Sequence, residues 1–266
     1  MARVLITAGY DVRGWNRSRL SAELTKGIPL AANIADAATS DVCMLMLFDS
    51  VATDAVLAQI EPYLRAGQIV LDMGSSDPMH SQEHAQRLAA KNIGWVDAPV
   101  SGGPEGAANH TLAIMAGATE TDFARIKPIL DAMGGNVMRV GGPGAGHTMK
   151  AINQLIVGIT IEAVAEALTL AEKSGIDPRL VQQVLKGGFA DSKILQIHGT
   201  RMIERTYKPG GTVKAHLKDL RLAKKLADSA LVELPQLNDM LGVYESLVTQ
   251  GDGELDHSAP HKRFWM

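Results

Sequence analysis

Lys150, Asn153 and Gln154 stand at i, i+3 and i+4 in an otherwise apolar stretch. On a helix that spacing places an ammonium and two amides on one face. A lysine in such surroundings exchanges a proton near neutrality, and an amide one turn on can hold a substrate oxygen. The same pattern also suits a lysine whose stem lies along apolar surface with its head in water. Three other segments carry comparable chemistry. Asp97-Ala98-Pro99-Val100-Ser101-Gly102-Gly103-Pro104 sets a hydroxyl beside two glycines whose backbone N–H groups are unobstructed. That is either a cradle for a carboxylate or phosphate, or an ordinary Pro/Gly turn. Asn16-Arg17-Ser18 follows Val12–Trp15, which reads as a short strand, and has no acidic residue at the strand's end. At the end of a second strand in a dinucleotide fold, an acidic side chain binds the ribose hydroxyl of NAD, whereas arginine suits the 2′-phosphate of NADP. An exposed turn with a helix-capping serine reads equally well. His216-Leu217-Lys218-Asp219-Leu220 opens a helix with a Lys-Asp pair, which alone reads as a surface ion pair. The eight histidines show no paired metal-ligand spacing, so the expectation is no metal. No nucleophile elbow or P-loop is present.

Positioning these groups needs an α/β framework. The first half alternates short apolar runs with amphipathic stretches, the pattern of βαβ units and a mostly parallel sheet. Strands are expected at Val12–Trp15, Val42–Leu47, Ile69–Met73, at Trp95–Val96 before Asp97, and at Leu112–Met115 and Val137–Val140. Helices are expected over 78–91 and 120–133 between them, and the opening residues already look like the middle of a helix. Beyond the turn Gly141-Gly142-Pro143-Gly144 the period changes to three and four. It predicts one long helix over 146–174 and further helices over 178–186, 193–205, 216–230 and 235–250. The expected fold is therefore an α/β domain with a mostly parallel sheet over 1–141, followed by an all-helical domain over 142–266.

Composition narrows the field. The 266 residues are 46% hydrophobic and 21% charged, enough to bury a core. A net charge of −3 disfavours a nucleic-acid surface. No uninterrupted apolar run approaches the ~18 residues of a membrane span, so no membrane partner is expected. One cysteine, Cys43, sits in the apolar run Cys43–Leu47, as a reduced core residue of a cytoplasmic protein would.

Taken in order along nearly the whole chain, these segments resemble the β-hydroxyacid dehydrogenase family, relatives of 3-hydroxyisobutyrate dehydrogenase and tartronate semialdehyde reductase. The matching stretches are Ala8–Val12 through Trp15–Ser18, Asp97–Gly103, Gly141 through Gln154, His216–Leu220 and Gly251–Ala259. The resemblance implies that the first domain, 1–141, is a Rossmann-like dinucleotide-binding domain lacking its first strand. It implies an NAD(P)-dependent oxidoreductase, NADP preferred, that interconverts a small 3-hydroxy acid and its 3-oxo acid. It implies Lys150 as general acid/base. Ser101, Gly102 and Gly103 would bind the substrate carboxylate, with Asn153 and Gln154 at the hydroxyl. Asn16, Arg17 and Ser18 would meet the adenosine end of the cofactor, and Ser75 and Lys218 its nicotinamide end, with Leu47 and Phe48 packed along it. The segment Gly187–Ser192 resembles that of members acting on small hydroxylated acids. A homo-oligomer, dimer or tetramer, through the helical half is expected. Imine-reducing enzymes share this architecture but usually replace the helix lysine, so Lys150 argues against that chemistry.

Two departures from the family pattern stand out. Gly211 occupies a place where members commonly carry an aromatic residue. The family's first strand and G-x-G-x-x-G loop are also missing, since Met1–Leu5 aligns with the helix that follows them. The expectation is that the reading frame extends upstream of Met1; translation upstream that meets a stop codon, without an apolar strand or a Gly-rich turn, would contradict it. The alternative is a redox-inactive homo-oligomer that no longer binds cofactor productively.

Overall fold

Capping and apolar alternation explain most elements of the computed structural model, which describes residues 1–265. The chain divides into two compact units, Met1–Lys150 and Ala151–Met266. That boundary falls inside the long helix, downstream of the glycine-rich turn expected to separate the two halves.

Unit 1 opens with α1 (Ala2–Thr7), α2 (Ala22–Thr25) and α3 (Ile34–Ala37), then runs β1 (Val42–Leu45), α4 (Ser50–Ile60), β2 (Ile69–Asp72), α5 (Pro78–Ala89) and β3 (Gly94–Asp97). It continues through β4 (Val100–Ser101), α6 (Gly103–Ala108), β5 (Leu112–Gly117), α7 (Glu120–Asp131) and β6 (Gly134–Gly141) to the start of α8 (Ala145–Lys173). Helix starts follow local chemistry. Asp49, Asp77 and Thr119 accept the backbone N–H of Ala52, Met79 and Asp122, and Pro78 occupies the first turn of α5, where no donor is lost.

The sheet runs β1-β2-β3-β5-β4, with β6 on the other side of β5. β1, β2 and β3 are parallel, as are β5 and β6, whereas β5 runs antiparallel to β3 and β4. Alternate residues of β2 feed opposite faces. Ile69 and Leu71 join Val96, Ile114 and Leu130 in one core, while Val70 joins Leu45, Leu57, Leu88 and Trp95 in another. Burial on both faces is why these strands read as continuous apolar runs.

Two local expectations need correction. Val12–Trp15 does not form a strand. Gly14 makes only an isolated parallel bridge to Leu30, through Gly14 N–H to the Pro29 carbonyl (2.8 Å) and Ala31 N–H to the Gly14 carbonyl (2.9 Å). A strand needs a ladder of partners, and one bridge does not supply it. Conversely, the segment after Asp97 is more than a turn, since it builds β4 and α6.

Unit 2 contains the rest of α8, then α9 (Pro178–Leu185), α10 (Lys193–Glu204), α11 (Val213–Ser229) and α12 (Pro235–Thr249). Ile161, Ala165 and Leu168 of α8 pack with Leu195, Met202, Leu217, Leu220 and Tyr244. By length and composition α8 would also suit a membrane span; in this unit it is the central core helix. Ile152, Ile156 and Leu170 of α8 nevertheless remain exposed.

Candidate functional site

At the carboxyl ends of the parallel strands, where α/β sheets bind ligands, register pairs Asp72 with Asp97. Both are fully buried. Asp72 accepts the backbone N–H of Gly74 (2.9 Å) and the hydroxyl of Ser76 (3.3 Å). Asp97 accepts Gly144 N–H at Oδ1 (2.7 Å) and His147 N–H at Oδ2 (2.9 Å). The Asp97 carboxylate thus ties the end of β3 to the start of α8. Burial pushes its pKa up to about 7, although the two amide donors pull the other way and Asp72 adds to the rise. His147 lies between the two acids. Its Nδ1 is 2.7 Å from Ser81 Oγ and 3.9 Å from Asp97 Oδ2, and its Nε2 is 3.8 Å from Asp72 Oδ2.

Close approach at this junction requires glycine. A Cβ on Gly146 would sit 2.3 Å from the Asp97 carbonyl and 2.4 Å from that of Met115. A Cβ on Gly117 would sit 2.6 Å from Asp97 Oδ1.

One turn beyond His147, Lys150 directs its ammonium to the Val100 carbonyl (2.9 Å). Val100 lies three residues past Asp97, so one segment both caps the helix and receives its lysine. Ser101 follows, half-buried, and Gly102 and Gly103 take φ of 132° and 62°, in the region that favours glycine. The sequence-predicted Lys150, Ser101, Gly102 and Gly103 are therefore held on connected backbone.

The loops after β1 and β2 also meet. A Cβ at Gly74 would lie 2.6 Å from the Leu47 carbonyl, so the Leu47-Phe48 and Gly74-Ser75 segments run side by side. Leu47 and Ser75 are half-buried, and Phe48 is exposed. Asn16 donates to the Ser18 carbonyl (2.8 Å) and lies 3.2 Å from its hydroxyl, closing an exposed turn around Arg17. This donor set fits a dinucleotide: an arginine turn for a phosphate, and paired loops with an aromatic ring and a hydroxyl at strand ends.

In unit 2, Asn153 donates to Gln154 Oε1 (2.9 Å), and Gln154 donates to Asp219 Oδ2 (2.7 Å). Lys218 pairs with Asp219 Oδ1 at 3.0 Å. Asp219 is buried and Lys218 half-buried, so the pair is not the surface ion pair its spacing alone suggests. His216 lies 3.5 Å from Gln154 Nε2 and 3.3 Å from His257 Nδ1. Burial and the neighbouring His216 and His198 hold His257 well below its ordinary value. Gly211, the departure from the family pattern, has the His257 ring as its nearest neighbour.

Sequence reasoning missed Asp72 and His147, which no local motif marks, and it named His216 and Asp219 only within a helix-opening Lys-Asp segment. Their contacts with Gln154, more than sixty residues away, were not legible. It also passed over His80 and His84, four residues apart on α5, whose third neighbour, Asp54, comes from α4.

Comparison with known proteins identifies the family. The family profile for the NAD binding domain of 6-phosphogluconate dehydrogenase matches residues 1–142. That for the NAD-binding region of NADP-dependent 3-hydroxyisobutyrate dehydrogenase matches residues 144–264. The 2-hydroxy-3-oxopropionate reductase of Escherichia coli (strain K12) is 41% identical over 223 residues, covering 83% of this chain and 76% of the relative. A probable 3-hydroxyisobutyrate dehydrogenase-like protein of Arabidopsis thaliana is 33% identical, covering 96% of this chain and 78% of its own. The crystal structure of 3-hydroxyisobutyrate dehydrogenase from Salmonella typhimurium superposes with a TM-score of 0.90 at 30% identity, covering 98% and 94% of the two chains. The chain belongs to the β-hydroxyacid dehydrogenase family of NAD(P)-dependent oxidoreductases.

Proposed function

We propose that this chain interconverts a small 3-hydroxy acid and its 3-oxo acid, with NADP preferred over NAD. The observation that carries the reading is Lys150 held 2.9 Å from the Val100 carbonyl, beside Ser101-Gly102-Gly103. Ser101 and the glycine N–H groups take the substrate carboxylate. Asn153 and Gln154, one helical turn beyond Lys150, hold the hydroxyl oxygen. Asn16, Arg17 and Ser18 receive the adenosine end of the cofactor, Arg17 supporting the NADP preference, while Leu47, Phe48, Ser75 and Lys218 serve the nicotinamide end. When bound, the nicotinamide exchanges a hydride with the carbinol carbon. In oxidation the neutral Lys150 amine takes the hydroxyl proton as the carbonyl forms; in reduction the ammonium returns it to the carbonyl oxygen. Asp97 keeps the lysine aimed by fixing the start of its helix.

Assembly as a homodimer or tetramer is supported by the exposed apolar side chains of α8. A reducing compartment such as the cytoplasm suits Cys43, a buried thiol whose pKa burial raises to about 11.

Progress curves with 3-hydroxypropionate, 3-hydroxyisobutyrate, glycerate and threonate, each with NADP and NAD, test the reading. Turnover of at least one acid, faster with NADP, is expected. Cofactor binding without turnover of any acid would overturn the substrate class. No binding of either cofactor at ~millimolar concentration would favour a redox-inactive assembly.

A further inference from the structure

On the flank of unit 1, α4 and α5 bring together three side chains that the reaction does not use. His80 and His84 are four apart on α5 and so share a face. Asp54 of α4 lies between them, Oδ2 at 3.0 Å from His80 Nδ1 and Oδ1 at 2.8 Å from His84 Nε2. One donor atom from each residue falls within 4.8 Å of the others. A tetrahedral zinc ion with bonds of ~2.0–2.2 Å separates its donors by about 3.3 Å, so modest side-chain rotation closes this set onto an ion.

We propose that Asp54, His80 and His84 form a binding site for a divalent transition-metal cation that clamps α4 to α5. Two imidazoles and one carboxylate suit zinc and its neighbours rather than magnesium or calcium, and leave outer positions to water. His84 is buried against Trp95, ring centroids 4.9 Å apart. His80 and Asp54 are half-exposed and give the ion a path from solvent.

One neighbour opposes the ion. Arg87 Nη2 is 3.4 Å from His84 Nδ1, yet a ring bound through Nε2 carries its proton on Nδ1. Arg87 must therefore withdraw to its other partner, Glu61 Oε2 at 3.2 Å, an acid that Lys91 also holds. Arg87→Gln supplies an acceptor in place of the cation. The second histidine cluster, His198, His257 and Asp256, is closed to a cation, because Asp256 already takes Arg201, Ser258 and Gly210.

Equilibrium dialysis of the whole chain against zinc, with thermal unfolding in parallel, tests the site. The expected result is one saturable equivalent and a raised unfolding temperature. His80→Ala and Asp54→Asn should each lose about tenfold or more in affinity, on the scale seen when metal sites are perturbed. Arg87→Gln should bind zinc more tightly. His80 and Asp54 are half-exposed, so an unchanged unfolding temperature without zinc shows that these variants fold. Binding unaffected by His80→Ala and Asp54→Asn, or no saturable uptake at about 100 μM zinc, where a site of zinc-finger strength would be filled, overturns the proposal.

Discussion

Burial pushes the Asp97 carboxyl up to about 7 against the pull of the Gly144 and His147 amides. An unfolded aspartate titrates near ~3.9. Between these values the folded chain holds a proton that the unfolded chain has released, so this residue makes stability fall as pH rises from about 4 to about 7. Asp97→Asn removes the titration and turns one amide donor away. Urea unfolding of both proteins across that range should show the wild type losing ground to the variant as pH rises, then a constant difference above about 7. A difference independent of pH would contradict the buried, titrating carboxylate. Lys150, Ser101, Gly102 and Gly103 were legible at this scale because their chemistry lies in short consecutive segments. The acids and imidazole beneath them were not. Asp72, Asp97 and His147 meet only because two strands end in register and a helix starts over them.

The long helix α8 was legible almost end to end, since its apolar residues recur at three- and four-residue steps. Val12–Trp15 shows the opposite case. Its alternation is compatible with a strand, but strand formation depends on partners that no local pattern reveals, and Gly14 meets only Leu30. β4 and α6 escaped notice because Pro99, Gly102 and Pro104 look like turn residues; here they bend the chain into a two-residue strand and a short helix. The exposed face of α8 carries an element-scale prediction. Ile156 and Leu170 are 60% and 69% exposed, while Ile161 and Leu168 pack in the core. The double substitution Ile156→Glu and Leu170→Glu should shift an oligomer toward monomer by light scattering and leave helical content unchanged. A wild type that is already monomeric would contradict assembly through this face.

At the scale of the whole chain, the family profiles cover both halves and the curated relatives align across most of their own length. Composition alone could only exclude classes of function. Family membership came into view because several short segments, each weak alone, follow one another in order. The structure adds the reason those segments act together within unit 1: one stretch, Asp97 to Gly103, caps the start of α8, receives Lys150 and forms the glycine loop. The most direct test is nicotinamide turnover by Lys150→Ala, with cofactor affinity measured on the same preparation by fluorescence titration. The account predicts that turnover falls at least ~100-fold, the scale of a lost general acid/base, while cofactor affinity stays within about threefold. Retained turnover with intact cofactor binding would show that Lys150 is not the proton-transferring group.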